Sequence, residues 1–269
     1  MRRMIQMIAT DLDGTLLAPG GMEMPERNKT ALERATAMGV QTVICTGRIF
    51  SGGQKFALSI PGDQPVVCVN GAIVRMSRSL EYLRRVPVKP ELAQEVLAFL
   101  KDHGARRWYY CGDVCMAEEE SEALESLRRR TNAHVEIVPD LSKVIGNGPE
   151  KILTYLPPEE AAAIQKELEI AFAGRLYITR SSASQVEILD PASTKGQALE
   201  MLAKRFSIPR ENIVAFGDNL NDLELFKAAG IKVAMGNAED RLKEQADIIA
   251  PPNDEGGVGK VVEDLLGLK

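Results

Sequence analysis

The sequence predicts an α/β protein with a mainly parallel sheet at its core and an inserted α+β module. Three observations carry this. Short apolar runs alternate with amphipathic helix-length stretches toward both ends of the chain, the pattern of strand–helix units that lay down parallel strands. The middle of the chain instead sets strand beside strand and has fewer helices. Several polar clusters also follow directly on apolar runs, which gathers them at the carboxyl edge of a parallel sheet, where open α/β folds place their ligands.

In chain order, residues 4–10 form the first strand, an apolar run stopped by Asp11. A helix is expected over 25–38 and strands over 41–46 and 65–70. The middle carries strands at 80–88, 106–110, 113–117, 135–138, 151–156, 175–180 and 185–189, with helices at 89–102, 121–131 and 158–173. Alternation then resumes with a helix over 195–206, where Leu199, Leu202 and Phe206 share one face. A strand follows at 212–216, then a helix over 219–229 with Leu220, Leu223 and Phe226 on one face. A strand at 231–234, a helix at 238–245, a strand at 247–249 and a helix at 256–266 complete the series. The core is therefore expected in residues 1–83 and 189–269, and the insertion, with an antiparallel sheet, in residues 84–188.

Of the 269 residues, 45% are hydrophobic and 26% charged, values close to the averages for soluble globular proteins. A net charge of -5 offers no electrostatic footprint for nucleic acid or for an anionic membrane surface. No apolar stretch approaches a membrane span. Met1-Arg2-Arg3 imitates the start of a signal peptide, but Gln6 interrupts the apolar run and Asp11 ends it. A cytoplasmic protein with an intact N-terminus is expected. Cys45 and Cys68 lie in strand-like runs, and Cys111 and Cys115 flank a turn at Gly112-Asp113; all four read as reduced structural thiols. His103 and His134 fit no zinc-ligand spacing.

The chemistry begins at Asp11-Leu12-Asp13-Gly14-Thr15-Leu16-Leu17. Two carboxylates this close repel unless a cation or a shared proton intervenes, so the run predicts a metal and divided protonation roles. Alone it is equally a turn. A calcium loop of the EF-hand kind would need Glu at its twelfth position, which is Met22. Four further clusters follow strands: Thr46-Gly47-Arg48, Asn70-Gly71-Ala72, Lys195-Gly196 and Gly217-Asp218-Asn219-Leu220-Asn221-Asp222. A parallel sheet would bring them all to face Asp11 and Asp13.

Together these clusters resemble the haloacid dehalogenase-like superfamily of phosphohydrolases, in particular its Cof-type branch with a large C2-type (IIB) cap. The resemblance spans essentially the whole chain. The Asp11 run is similar to the first motif of that family, Thr46-Gly47-Arg48 to the second, Lys195-Gly196 to the third and Gly217–Asp222 to the fourth. Asn70-Gly71-Ala72, Val233-Ala234-Met235-Gly236-Asn237-Ala238 and Asn253-Asp254-Glu255-Gly256-Gly257-Val258 resemble secondary signatures of the branch.

The resemblance implies a Rossmann-like core, an α+β cap that sets specificity, and Mg2+-dependent phosphatase activity through an aspartyl-phosphate. The substrates implied are small phosphomonoesters such as sugar phosphates. Asp11 would be the nucleophile and Asp13 the general acid and base. Lys195, Thr46, Asn221 and backbone amides near Leu12 and Gly47 would bind the phosphoryl group. Asp11, the backbone carbonyl of Asp13, and Asp218 would hold Mg2+, with Asp222 orienting Lys195 or a metal-bound water. Arg48, Asn70, Asn253 and Asp254 read as turn residues as readily as site residues, and Arg106, Arg107, Trp108, Tyr109, Arg180 and Ser182 are candidates for reading the leaving group. The expected partner is a small phosphorylated metabolite, with no nucleic acid or membrane, for a monomer or homodimer. Two alternatives stay open: a sugar phosphomutase, and a non-catalytic phospho-ligand sensor. A transport ATPase is disfavoured because that branch carries Thr where Asp13 stands.

Overall fold

The computed structural model describes residues 4–268, so Met1-Arg2-Arg3 lies outside the described residues. Strand β1 (Met7–Thr10) opens the chain, followed by α1 (Glu26–Ala37), β2 (Gln41–Cys45), α2 (Phe50–Ala57), β3 (Pro65–Cys68), β4 (Ile73–Met76) and β5 (Tyr82–Arg85). Next come α3 (Pro90–Asp102), β6 (Trp108–Cys111), β7 (Val114–Ala117), α4 (Glu122–Thr131), β8 (His134–Ile137), β9 (Lys151–Tyr155), α5 (Pro158–Ala171), β10 (Tyr177–Ser182) and β11 (Gln185–Leu189). The chain returns with α6 (Lys195–Arg205), β12 (Ile213–Gly217), α7 (Leu223–Lys227), β13 (Ile231–Ala234), α8 (Asp240–Lys243), β14 (Ile248–Ile249) and α9 (Gly257–Leu266).

Strand β1 is buried at all its positions, as an unbroken apolar run requires when helices cover both faces of a sheet. It lies inside an eight-stranded sheet of order β14-β13-β12-β1-β2-β3-β4-β5. Pairing is parallel from β14 to β3 and antiparallel for β3–β4–β5. Chain order runs outward from β1 in both directions, so the crevice between β1 and β12 is the reversal point at which such sheets bind ligands.

The insertion has its own six-stranded sheet, β10-β11-β9-β6-β7-β8. It is antiparallel except for β7–β8, which α4 links as a crossover and which therefore run parallel. Strand alternation divides its residues between two cores. Tyr109 and Ile152 pack with Val96, Leu97 and Leu168 of α3 and α5, whereas Trp108, Tyr110 and Leu153 belong to the cluster shared with the larger sheet.

Several elements depart from the expected pattern. Residues 80–88, expected to be a strand of the middle region, supply β5, which pairs antiparallel with β4 at the edge of the larger sheet. The expected junctions at 83/84 and 188/189 thus fall within β5 and β11, and the chain changes sheet between Arg85 and Pro90 and between Leu189 and Lys195. Helix α2 was not expected, because its Gly52-Gly53 pair disfavours helix. Tertiary contact demands that glycine: a Cβ at Gly53 would lie 2.9 Å from Cγ1 of Val66 on β3. The helix expected over 219–229 is divided into a 3₁₀ turn at Leu220–Asp222 and the short α7.

Among the described residues no helix is long and apolar enough to cross a membrane. All four cysteines are free.

Candidate active site

The end of β1 is anchored where the Asp11 N–H donates to the Phe216 carbonyl on β12 (3.1 Å). Leu12–Leu16 then make one wide turn, closed by Leu16 N–H to Asp11 O and Leu17 N–H to Leu12 O, with Leu12 buried beneath. Gly14 takes φ +80 there, and a Cβ on it would meet Oδ2 of Asp218 at 2.3 Å. Asparagine amides from three other segments satisfy the turn's carbonyls: Asn237 to Gly14 (2.8 Å), Asn28 to Leu16 (2.8 Å) and Asn253 to Leu17 (2.6 Å). Asn253 thus supports the turn, while Asp254 is exposed.

Behind this turn Asp11, Asp218 and Asp222 bring carboxylate oxygens within 4.8 Å of one another. Lys195, buried at the start of α6, donates from Nζ to Oδ1 of Asp11 (2.6 Å) and to Oδ1 of Asp222 (2.7 Å). The other Asp222 oxygen accepts the backbone N–H groups of Asp218 (3.0 Å) and Asn219 (3.2 Å). Asp222 is therefore committed to holding Lys195 and the Asp218 turn. Thr15 donates to Oδ1 of Asp218 (2.7 Å).

One lysine does not balance three carboxylates. Burial pushes the Asp11 carboxyl well above its ordinary pKa; Lys195 opposes this, and Asp222, Asp218 and Asp13 add to it. Asp218 is pushed up to about 7, by burial first and then by Asp222. Burial works against the Lys195 ammonium, but Asp11 and Asp222 outweigh it and keep the lysine charged. Oδ2 of Asp11 and Oδ2 of Asp218 receive no hydrogen bond from another described residue. An all-oxygen donor set with excess negative charge and two uncommitted oxygens fits a hard cation of the Mg2+ type.

The Asp13 carboxylate stands apart from this cluster. Arg48 binds it through Nε (2.7 Å) and Nη2, and Nη2 of Arg130 reaches its Oδ1 at 2.9 Å. Burial alone would raise its pKa, but the two guanidinium groups prevail and hold it below the usual carboxylate value. Two aspartates two residues apart thus sit in opposite electrostatic settings.

Thr46 follows β2. Its N–H donates to the Val67 carbonyl (2.8 Å), and its Oγ1 accepts the N–H of Arg48 (3.1 Å). Gly47 packs where a Cβ would lie 3.0 Å from Oδ1 of Asn70, the same oxygen that accepts from Nδ2 of Asn221 (3.4 Å). A cavity of about 370 Å³ between the two sheets opens onto Asp11, Asp13, Thr46, Gly47, Asp218 and Asn221. Lys195, Leu12 and Asp222 are buried and are not among its lining residues.

From the insertion, Trp108 and Ser182 line this cavity among the residues considered from sequence. Tyr109 faces the opposite side of its sheet, with its hydroxyl bonded to the Ile145 carbonyl, while Arg106 pairs with Glu119 and Arg107 with Glu118. Arg180 is not among the lining residues. Sequence reasoning missed Lys151, Glu187 and Arg130, all of which line the cavity. The signal was a charge inside an apolar strand: Lys151 precedes Ile152-Leu153, and Glu187 stands between Val186 and Ile188.

A carboxylate cluster lies at the reversal point of a parallel sheet and is roofed by a second sheet, and relatives named as phosphatases that match nearly the whole chain make this a hydrolase of the phosphatase class. The chain belongs to the haloacid dehalogenase-like hydrolases, whose family model matches residues 8–262. It is similar to pyridoxal phosphate phosphatase YbhA of Escherichia coli, with 28% identity over 271 residues covering 97% of this chain and 98% of the relative. It is also similar to 5-amino-6-(5-phospho-D-ribitylamino)uracil phosphatase YwtE of Bacillus subtilis, with 29% identity over 283 residues covering 96% and 97%. Among solved structures, a haloacid dehalogenase-like hydrolase from Bacteroides thetaiotaomicron superposes with a TM-score of 0.87 at 25% identity, over 97% of this chain and 99% of that one. TM0651 from Thermotoga maritima gives 0.82 at 29% identity, over 97% of both chains.

Proposed function

We propose that this phosphatase hydrolyses small phosphomonoesters, sugar phosphates among them, in a Mg2+-dependent reaction through an aspartyl-phosphate on Asp11. The observation that carries the reading is the separation of the two aspartates. Asp11 is tied by Lys195 and crowded by Asp218 and Asp222, whereas Asp13 is turned toward Arg48 and Arg130.

Lys195 steadies Asp11 through Oδ1, and a carboxylate oxygen of Asp11 attacks phosphorus, which divides one difficult hydrolysis into two easier displacements. Asp13 can give a proton to the leaving oxygen only once substrate draws Arg48 and Arg130 off its carboxylate and it is protonated; it then takes a proton from the water that opens the acyl-phosphate. Lys195, the Thr46 hydroxyl, Asn221 and amides near Leu12 and Gly47 hold the phosphoryl oxygens as charge develops. Asp222 orients Lys195. Asp11, the Asp13 carbonyl and Asp218 would hold Mg2+, whose charge screens the attacking carboxylate from the phosphate dianion.

The two relatives' named substrates are phosphomonoesters with a ring in the leaving group, and a cavity of about 370 Å³ has room for leaving groups of that scale. Four free thiols agree with a cytoplasmic setting. The deciding experiment measures phosphate release from p-nitrophenyl phosphate and from a panel of phosphorylated metabolites, with and without Mg2+, for wild type and Asp11→Asn. Loss of activity in the variant and in chelator is expected. Equal activity in the variant, or activity without metal, would sink the mechanism; isomerised product without free phosphate would favour a mutase.

A further inference from the structure

Lys151 and Glu187 form a buried ion pair on neighbouring strands of the insertion, with 2.7 Å between Nζ and Oε1 and side chains only 3% and 2% exposed. Both also reach into the core. Nζ of Lys151 donates to the Gly47 carbonyl at 2.9 Å, and Nδ2 of Asn70 donates to Oε2 of Glu187. The Tyr110 ring lies 4.7 Å from the ammonium. Removing two charges from water is costly and is compensated only where hydrogen bonds satisfy both groups. Here two of the three bonds come from core loops that follow β2 and β3, so the pair is fully satisfied only while the insertion covers the core.

The Gly47 carbonyl belongs to the Gly47–Arg48 peptide. The N–H of that same peptide donates to Oγ1 of Thr46 at 3.1 Å. Lys151 therefore holds one end of the peptide and Thr46 the other. With one lone pair of Oγ1 occupied by this N–H, the Thr46 hydroxyl hydrogen is directed elsewhere, and Thr46 lines the cavity.

We infer that Lys151 is a positioning residue for the phosphate-binding loop: through the Gly47 carbonyl it sets the Gly47–Arg48 peptide and thereby the Thr46 hydroxyl. Glu187 and Asn70 keep the lysine in register. The loop is then complete only when the insertion is seated, which ties closure over the substrate to readiness for phosphoryl transfer. This rests on the reading that Thr46 and Gly47 bind the phosphoryl group.

The test compares Glu187→Gln with the double variant Lys151→Met/Glu187→Gln, which removes both charges together and strands neither. Three readouts are taken: amide exchange of Arg48 without substrate, inhibition by inorganic phosphate, and kcat/KM for three phosphomonoesters with different leaving groups. In the double variant Arg48 exchange should quicken by roughly tenfold or more, the scale of losing one charge-assisted hydrogen bond. Phosphate affinity and kcat/KM should fall together by about 10- to 100-fold, by the same factor for every leaving group. Glu187→Gln strands the buried Lys151 ammonium and should lower Tm, but it should change Arg48 exchange and phosphate affinity less than the double variant does, because Lys151 still reaches Gly47. Unchanged Arg48 exchange would overturn the inference. A loss that varies with the leaving group while phosphate affinity holds would overturn it too, making Lys151 a contact for the leaving group. So would a lowered Tm with no other change. A wild type that releases no phosphate would count against the hydrolase reading alone, since Arg48 exchange is read without turnover.

Discussion

Arg130, in the last turn of α4, donates from Nη2 to Oδ1 of Asp13 across 2.9 Å, so the insertion touches the loop that follows β1. Arg48 binds the same carboxylate from the core, but the two arginines are unequal. The Arg48 side chain is 5% exposed and also donates to the Gly21 carbonyl, whereas Arg130 is 46% exposed. Arg48→Ala should destabilise the fold by about 1–3 kcal/mol, through a lost charged hydrogen bond and unsatisfied partners. Arg130→Ala should cost no more than about 1 kcal/mol, as solvent screens the pair. Urea denaturation checks the order, and a larger loss at Arg130 would contradict it.

Asp13→Asn should fold and still bind Mg2+, because its metal contact would be made through the backbone. Turnover of an alkyl phosphate should fall by ~10² or more as proton donation to a poor leaving group is lost. p-Nitrophenyl phosphate, with a good leaving group, should suffer less. Normal turnover of the alkyl ester would rule out the role given to Asp13.

Gly14→Ala would force a Cβ into left-handed backbone and onto Oδ2 of Asp218, 2.3 Å away. The backbone strain costs roughly 1–2 kcal/mol, and Asp218 must shift. Mg2+ affinity measured by titration calorimetry should drop; an unchanged affinity would refute the close packing of Gly14 on Asp218.

Asp222→Asn and Asp11→Asn should differ in sign or size. An amide at 222 must turn a donor toward either Lys195 or the Asp218 and Asn219 N–H groups, so a loss of about 2–4 kcal/mol is expected. The pKa of Asp11 is raised in the fold, so near neutral pH its ionised form is worse off folded than unfolded. Removing that charge should therefore be nearly neutral or stabilising. Thermal unfolding in EDTA separates the two variants.

If the folded cluster binds Mg2+ as proposed and the unfolded chain does not, Mg2+ at about 100 times its Kd should stabilise the wild type by about 2.7 kcal/mol. Asp218→Asn should lose most of that gain. An equal rise in Tm for both proteins would place the ion elsewhere.

Much of this was legible in the sequence because it is local. β1 and β12 are apolar runs stopped by acidic turns, and parallel pairing brings whatever follows them together. Helix α2 was hidden because Gly52-Gly53 reads as a loop until β3 packs against it. Strand β5 was assigned to the middle region because membership of a sheet is decided by a partner, here β4, and not by the strand's own residues.

The order of Asp11, Thr46, Lys195 and Asp218 along the chain, each at the end of a strand or the start of a helix, was enough to expect one polar edge facing the two aspartates, given that parallel strands gather their carboxyl ends. Phosphoryl chemistry was implied by the resemblance of those clusters to the haloacid dehalogenase-like family. Tertiary structure alone decided how the two aspartates are set apart, because Arg48 and Arg130 reach Asp13 over 35 and 117 residues of chain. It alone likewise brought Lys151 to Gly47, 104 residues away, and Glu187 to Asn70. Such contacts have no sequence period: the folded chain creates them when two sheets close over a buried ion pair whose hydrogen bonds neither sheet can satisfy alone.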